Sequence, residues 1–399
     1  MSDNLSESFH QWLVAIRREL HQFPELQYQE EKTGAKICEV LEYLKIPFQK
    51  GIGKTGIIAR LCAERKGPVL AFRADMDALP LEEANDVPYK SQYQGVMHAC
   101  GHDAHVTIAL GVARWLLEKD WPRKGAGEIL FIFQPAEEGG GGAKIMLESG
   151  AFDADRVEAV FAGHMYPEFP AGHVEIAPEV VNAAVSRIVI RLKGKGGHGA
   201  HPHQTQDPIV AGAHLVTQLQ TIISRNLPAS ENAVLTIGRF QAGTASNIIP
   251  GEALLEGTLR TLKPSVCQLI SERTDALIRG VETAFDLSAS FEVIEGYPVL
   301  TNHPELAEYM MSCADGLLGA DAVHRGYPRM GAEDFSYFSE KWGGVMVGLG
   351  CHDSRKGFQH GLHSPHFDID ENVLDVGTRL FGNALMHYAE RSCRTGAGL

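Results

Sequence analysis

The sequence predicts an α/β protein: a mostly parallel sheet with helices on both faces, interrupted by an inserted ferredoxin-like α+β module. Three observations predict it. Short runs rich in β-branched and aromatic residues, such as 69–72 and 129–133, are continuously apolar rather than alternating, as expected of strands covered on both faces. Between them, apolar residues recur at helical spacing. In the middle of the chain the order becomes strand, helix, strand, strand, helix, strand, the split βαβ arrangement of a ferredoxin-like module.

In chain order, Phe9, Leu13, Ile16 and Leu20 mark a first helix, and Ile37, Leu41 and Leu44 a second that Pro47 stops. Strands follow at 56–61, 69–73, 128–133, 157–162 and 343–349, with a helix at 104–119 for which Asp103 is the expected N-cap. The insert carries strands at 187–192, 233–240, 253–261 and 287–294 and helices at 208–224 and 264–285. Helices at 305–318 and 372–390 complete the chain, and the small polar tail 392–399 is expected to fray. The expected domains are therefore 1–183 with 297–399, discontinuous, and the insert 184–296.

Composition narrows the function. The 399 residues carry 50 acidic against 36 basic side chains, a formal charge of −14, which opposes binding to nucleic acid or to an anionic membrane surface. No apolar run approaches the roughly 20 residues of a membrane span. The first 20 residues lack the basic start and apolar centre of a secretory signal, so a cytoplasmic location is expected. Seven scattered cysteines, an odd number, read as small buried residues rather than a disulfide framework.

In open parallel sheets the site lies beyond the carboxyl ends of the strands. There the sequence repeatedly places metal-ligand types: Asp75 and Asp77 after one strand, Glu137 and Glu138 after another, His164 after a third. His98, Cys100, His102, Asp103 and His105 crowd the start of a helix, and His360, His363 and His366 fall together later. Cysteine, histidine and carboxylate together suit Zn²⁺ or a neighbouring transition ion better than Ca²⁺ or Mg²⁺, and two ions could be served. Glu137 and Glu138, if extended, would point in opposite directions, one towards metal and the other free to act as a base. Gly53, Lys54 and Thr55 resemble the end of a phosphate loop, but Phe48 stands where its first glycine belongs and a strand follows. No Gly-x-Ser-x-Gly or His-Glu-x-x-His pattern is present. In the insert, His198 lies on a glycine-rich loop from which it could donate to an oxyanion. Asn247 and Arg260 could hold a substrate carboxylate.

Five strings, 73–80 (RADMDALP), 97–105 (MHACGHDAH), 134–140 (QPAEEGG), 196–202 (GGHGAHP) and 331–335 (GAEDF), resemble the two-metal aminoacylase/carboxypeptidase family of metallopeptidases. They look closest to its amidohydrolase branch, which includes N-acyl-L-amino acid amidohydrolases, hippurate hydrolases and indole-3-acetyl-amino acid hydrolases. The resemblance implies that Cys100, His102, Glu138, His164 and His363 bind two divalent ions per subunit, Zn²⁺ or Mn²⁺ with Co²⁺ or Ni²⁺ as alternatives. It implies Glu137 as general base towards a metal-bridging water, Asp77 as a supporting carboxylate, and His198 as a residue that reaches a partner subunit's site. Where the wider family has a histidine ligand two residues before the supporting aspartate, this chain has Asp75. The expected activity is hydrolysis of a small-molecule N-acyl-amino acid to a carboxylate and a free amino acid. The insert is expected to act as a lid and to form a homodimer or homotetramer. A carboxypeptidase or dipeptidase with the same centre is the alternative, and a metal- or ligand-binding protein without turnover the third reading.

Overall fold

The computed structural model describes residues 5–152 and 156–395. The chain divides into two compact units. The first runs to Val181 and takes up Thr301–Tyr327 and the chain from Asp334 onward; the second comprises Asn182–Leu300 and Pro328–Glu333. The expected insert lies inside the second unit. That unit also takes up 328–333, which the sequence reading assigns to the first domain, because the Ala183 amide donates to the carbonyls of Arg329 and Gly331.

Along the chain the strands are β1 (Phe48–Ile52), β2 (Gly56–Cys62), β3 (Arg65–Asp75), β4 (Ala126–Gln134), β5 (Val157–Pro170), β6 (Val174–Ile176), β7 (Val180–Asn182), β8 (Ala184–Lys193), β9 (Gly197–His198), β10 (Ala233–Ala242), β11 (Ile248–Ile249), β12 (Glu252–Thr261), β13 (Ser288–Glu295), β14 (Leu300–Thr301), β15 (Val323–Arg325) and β16 (Gly344–His352). The helices are α1 (Glu7–Gln22), α2 (Glu31–Tyr43), α3 (His102–Glu118), α4 (Trp121–Lys124), α5 (Gly142–Glu148), α6 (Pro208–Thr221), α7 (Pro264–Phe285), α8 (Pro304–Leu318), α9 (Ser336–Trp342) and α10 (Asn372–Thr395).

The first unit is built on an eight-stranded sheet in the order β1-β2-β4-β3-β5-β16-β6-β15. Its centre, β4-β3-β5-β16, is parallel, with Phe72 opposite Phe131 and Phe161, and Gly348 opposite His164. Antiparallel pairing enters towards the edges, where β2 meets β4 and β1, and β6 meets β16. Eight successive residues of β16 are buried, so both faces are covered, which is what the unbroken apolar runs require. Helices α1, α3 and α10 pack on one another, with α3 and α10 against the central strands, while α5 and α9 pack together against β4, β5 and β16. The short strands β1 and β15 at the two edges, and β6 beside β15, are additions to the sequence reading: five, three and three residues long respectively, they are too short or too exposed to leave an apolar signature.

The second unit contains a four-stranded antiparallel sheet in the order β10-β12-β8-β13, with α6 and α7 supplying the apolar layer around Leu215, Leu219, Ile270 and Ile278. Asp207 caps α6 by accepting from the amides of Ile209 and Val210, and a single π turn, Ile222–Asn226, ends the helical stretch. This is the expected βαββαβ order with the small ribbon β9-β11 added. The tail expected to fray is helical through Thr395; residues 396–399 lie outside the described residues. Among the described residues no helix is long and apolar enough to cross a membrane.

One helix start differs from expectation. Helix α3 begins at His102, its cap position is Gly101 in the left-handed region (φ 87°), and Asp103 lies inside the first turn. A Cβ on Gly101 would sit 2.6 Å from Met165 Cγ. Gly101→Ala therefore meets both a left-handed penalty of roughly 1–2 kcal/mol and a packing clash. The expected result is a loss of about 2–4 kcal/mol in urea unfolding; an unchanged midpoint would show that the α3 start is not tightly held.

Candidate metal centre

Two strand ends, the interior of a third strand and the start of α3 deliver the predicted residues to one place in the first unit; β5 continues to Pro170, so His164 lies within that strand and not after it, as the sequence reading has it. Strand β3 ends at Asp75, with Asp77 two residues on; β4 ends at Gln134, ahead of Glu137 and Glu138; β5 carries His164. Ligand atoms of Cys100, His102 and His164 all lie within 4.8 Å of one another, as do those of Cys100, Glu138 and His363, and those of His102, Glu137 and Glu138. Cys100 thus belongs to two groups, and Glu137 shares one with a residue of each.

Hydrogen bonding fixes which nitrogen each histidine presents. His102 Nδ1 donates to the Asp77 carbonyl at 2.9 Å, which leaves Nε2 with its lone pair, buried and without a hydrogen-bond partner. His164 Nδ1 donates to the Met165 carbonyl at 3.0 Å, so its Nε2 faces Cys100 Sγ at 3.6 Å. Glu138 Oε1 is likewise buried without a hydrogen-bond partner, 4.0 Å from His102 Nε2 and 3.4 Å from His363 Nε2. The unpartnered His102 Nε2 and Glu138 Oε1, gathered with the Cys100 sulfur and the His164 and His363 nitrogens, fit a divalent cation, and the donor set fits a transition ion.

The titration pattern has the same origin. Burial pushes the Cys100 thiol well above its usual range. Burial opposes charge on His102, but Asp75 and Cys100 outweigh it and hold that imidazole well above its ordinary value. On Glu138 burial is outweighed by His363 and His102, and its carboxyl stays low. In the absence of a cation, protons take the positions that a cation would contest.

Glu137 and Glu138 are not extended, as the sequence reading supposes. They occupy a turn, and both amides donate to Asp77, to Oδ1 and Oδ2 respectively, each at 3.0 Å. The turn therefore turns both carboxylates towards His102 instead of separating them. Ala136, immediately before, has φ +55°, a conformation an L residue rarely adopts, and its amide donates to Glu30 Oε1 at 3.0 Å. His363 also has a left-handed backbone (φ 61°), and its amide donates to the Ala99 carbonyl at 2.8 Å, which ties that distant loop to Cys100.

A layer behind these residues was not assigned roles from sequence. Arg73, buried, donates to Gln134 Oε1 (2.7 Å), Asp75 Oδ2 (2.7 Å) and Asp334 Oδ1 (2.9 Å), and Asp334 also accepts from Gln134 and the Ala143 amide. Burial raises Asp75, yet Arg73, His102 and His105 outweigh it and hold the carboxyl well below its usual range. His105 lies one helical turn past His102, a spacing of three that was visible in the sequence. Asp103, the expected cap, accepts instead from Arg17 Nε at 2.9 Å and from His21 Nδ1 at 2.8 Å.

The remaining predicted residues belong to the second unit. His198 on β9 pairs with Ile248 on β11, and the Gly199 amide donates to the Asn247 carbonyl at 2.9 Å, so His198 and Asn247 share one ribbon. His198 Nδ1 accepts from the Ala200 amide at 3.0 Å. Arg260 stands on β12, and its Nη1 donates to the Met330 carbonyl at 3.0 Å.

Because Asp77 satisfies two amides and backs the His102 ring, Asp77→Ala is expected to cost about 1–3 kcal/mol of stability and to weaken metal binding about 10- to 100-fold. Denaturant unfolding and metal titration check the two effects separately; unchanged metal affinity would remove Asp77 from its supporting role.

The model of the peptidase family M20/M25/M40 matches residues 71–387. The chain is 39% identical over 369 residues to an N-acetyldiaminopimelate deacetylase of Brevibacillus brevis, covering 92% of this chain and 95% of the relative. It is 40% identical over 381 residues to the enzyme of the same name from Bacillus subtilis, covering 94% and 98%. Among solved structures, the Bacillus subtilis YXEP protein, described as a dinuclear metal-binding peptidase of the M20 family, matches with TM-score 0.84 at 33% identity, covering 96% of this chain and 99% of that one. With a family model matched along most of its length and full-length relatives well above 30% identity, the chain belongs to peptidase family M20/M25/M40.

Proposed function

We propose that this protein is a metal-dependent amidohydrolase that cleaves the amide bond of N-acyl-L-amino acids, releasing a carboxylate and a free amino acid. The observation that carries the reading is the convergence of Cys100, His102, Glu138, His164 and His363 around atoms without hydrogen-bond partners, with Glu137 beside them. Those five residues would hold two divalent ions, Zn²⁺ or Mn²⁺ with Co²⁺ or Ni²⁺ as alternatives. When bound, such ions polarise a carbonyl and lower the pKa of water.

The chain's own residues then divide the work. Glu137 takes a proton from the attacking water and delivers it to the amide nitrogen as the C–N bond breaks. Asp77 holds the turn that aims Glu137. His198 donates to the developing oxyanion, and Asn247 with Arg260 holds the substrate carboxylate. The names of the relatives favour an acetyl group as the acyl part and diaminopimelate as one amino acid to test. We place the protein in the cytoplasm as a homodimer or homotetramer formed through its second unit.

The test is turnover of a panel of N-acetyl, N-benzoyl and other N-acyl-amino acids, alongside free dipeptides, by metal-stripped protein reloaded with each ion. N-acyl-amino acid hydrolysis that depends on the ion is expected; cleavage of dipeptides alone would replace the reading with a peptidase. Glu137→Gln should retain metal and lose about 10²- to 10⁴-fold in kcat, and a near-normal rate would exclude Glu137 as the base. If His198 serves a partner's site, mixed dimers of His198→Ala and Glu137→Gln protomers should regain activity that neither variant has alone. No recovery in verified mixed dimers would place His198 in its own subunit's reaction.

A further inference from the structure

His105 is fully buried and close to the ligand cluster, yet its bonding rules it out as a ligand. Its Nε2 accepts from the Met165 amide at 3.0 Å. An amide N–H can only donate, so Nε2 carries no proton, and in the neutral ring the proton sits on Nδ1. Nδ1–H then points at Asp75 Oδ1, 2.6 Å away. Ligand atoms of Asp75, His102 and His105 lie within 4.8 Å of one another, a grouping that could suggest a further cation. Both nitrogens of His105 are already committed, so that grouping is not a metal site.

The two ends of this ring reach two separate supports of the cluster. Asp75, the residue standing where the wider family has a histidine ligand, has its other oxygen on Arg73 at 2.7 Å and lies 3.5 Å from His102 Nε2. Met165 follows His164, and its carbonyl accepts the His164 Nδ1 proton. The His105 ring also lies against both presumptive ligand rings, with centroids 5.3 Å from His102 and 4.9 Å from His164.

We propose that His105 is a positioning residue for the metal centre: a neutral, single-tautomer bridge that holds the Asp75 carboxylate beside His102 and, at its other nitrogen, the backbone that orients His164. The two strands it links, β3 at its last residue and β5 at Met165, are neighbours in the sheet. A second-layer carboxylate or backbone contact of this kind fixes the ligand's orientation and raises its basicity. The proposal rests on the metal-centre reading above.

The two halves of the bridge can be cut separately. In His105→Asn the amide nitrogen stands near the position of Nδ1 and keeps a donor for Asp75, while the acceptor for Met165 is lost. In His105→Gln the side-chain oxygen reaches the position of Nε2 and keeps the acceptor, while the donor to Asp75 is lost. His105→Phe removes both and keeps the ring. Co²⁺ is titrated into metal-stripped full-length protein with a competing chelator, following the visible and thiolate-to-cobalt absorption, and thermal unfolding is measured on the metal-free proteins.

His105→Phe is expected to weaken Co²⁺ binding about 10- to 100-fold, with His105→Asn and His105→Gln each intermediate and the cobalt spectrum altered. Co²⁺ affinity and spectrum equal to wild type in the folded Asn and Gln variants would overturn the proposal. So would a loss of affinity that merely tracks the loss of metal-free stability across the three variants. If wild-type protein itself binds no Co²⁺, the metal-centre reading fails instead, so the two failures are distinguishable.

Discussion

The carboxylate of Asp77 is the joint on which the candidate site depends. It accepts two consecutive amides, those of Glu137 and Glu138, while its own backbone carbonyl takes the Nδ1 proton of His102. The turn that presents these two acidic side chains to a buried imidazole thus has both of its leading amides satisfied by one carboxylate. With both amides held, the backbone that carries the two carboxylates is fixed, and the same residue dictates that His102 offers Nε2. One residue therefore sets the tautomer of His102 and the backbone position of both the proposed base, Glu137, and Glu138.

Behind that joint the structure buries two arginines, one on each side of the α3 start. Arg73 is shared among Asp75, Asp334 and Gln134; Arg17 is shared between Asp103 and Asp368, at 2.9 and 2.8 Å. Buried ion pairs are poor sources of net stability, because desolvation offsets most of the attraction. Their value here is geometric. Each guanidinium fixes several acceptors from segments far apart in sequence, and removal of any one leaves a buried charge uncompensated, so alternative packings of these loops are strongly disfavoured. The candidate ligand residues are thus mounted on a polar frame that has few other ways to assemble.

The central parallel strands were legible because burial on both faces leaves an unbroken apolar run, and the ligand residues because they recur just past those runs. The edge strands left no such trace: Phe48–Ile52 is exposed over its three middle residues. The misread cap has a specific cause. Asp103 has the composition of an N-cap, but Arg17 and His21, more than 80 positions earlier, claim its carboxylate, and Gly101 takes the cap position. The Glu137–Glu138 pair was misjudged for a similar reason, since the turn is made by Asp77, whose two oxygens act sixty positions away. Motif spacing identified which residues gather, and long-range side-chain acceptors decided how they face.

The order of the chain also shapes how such a centre can assemble. The pieces that carry Cys100, His102, Glu138 and His164 all precede the second unit, whereas His363 and the Asp334 anchor follow it. His363 is placed by its amide bond to Ala99 and by the loop that leaves β16, which pairs in parallel with β5. Closing that connection across the whole second unit is entropically tolerable, because the cost grows only as the logarithm of loop length, about 0.6 kcal/mol per doubling. The second unit reduces it further in effect, since Asn182 and Leu300 are the ends of a unit with its own apolar core. The group containing Cys100, His102 and His164 is therefore supplied by one stretch of chain before the second unit, and the group containing Glu138 and His363 draws on both sides of it. Cys100 belongs to both groups, so its thiol sits where the segments before and after the second unit meet.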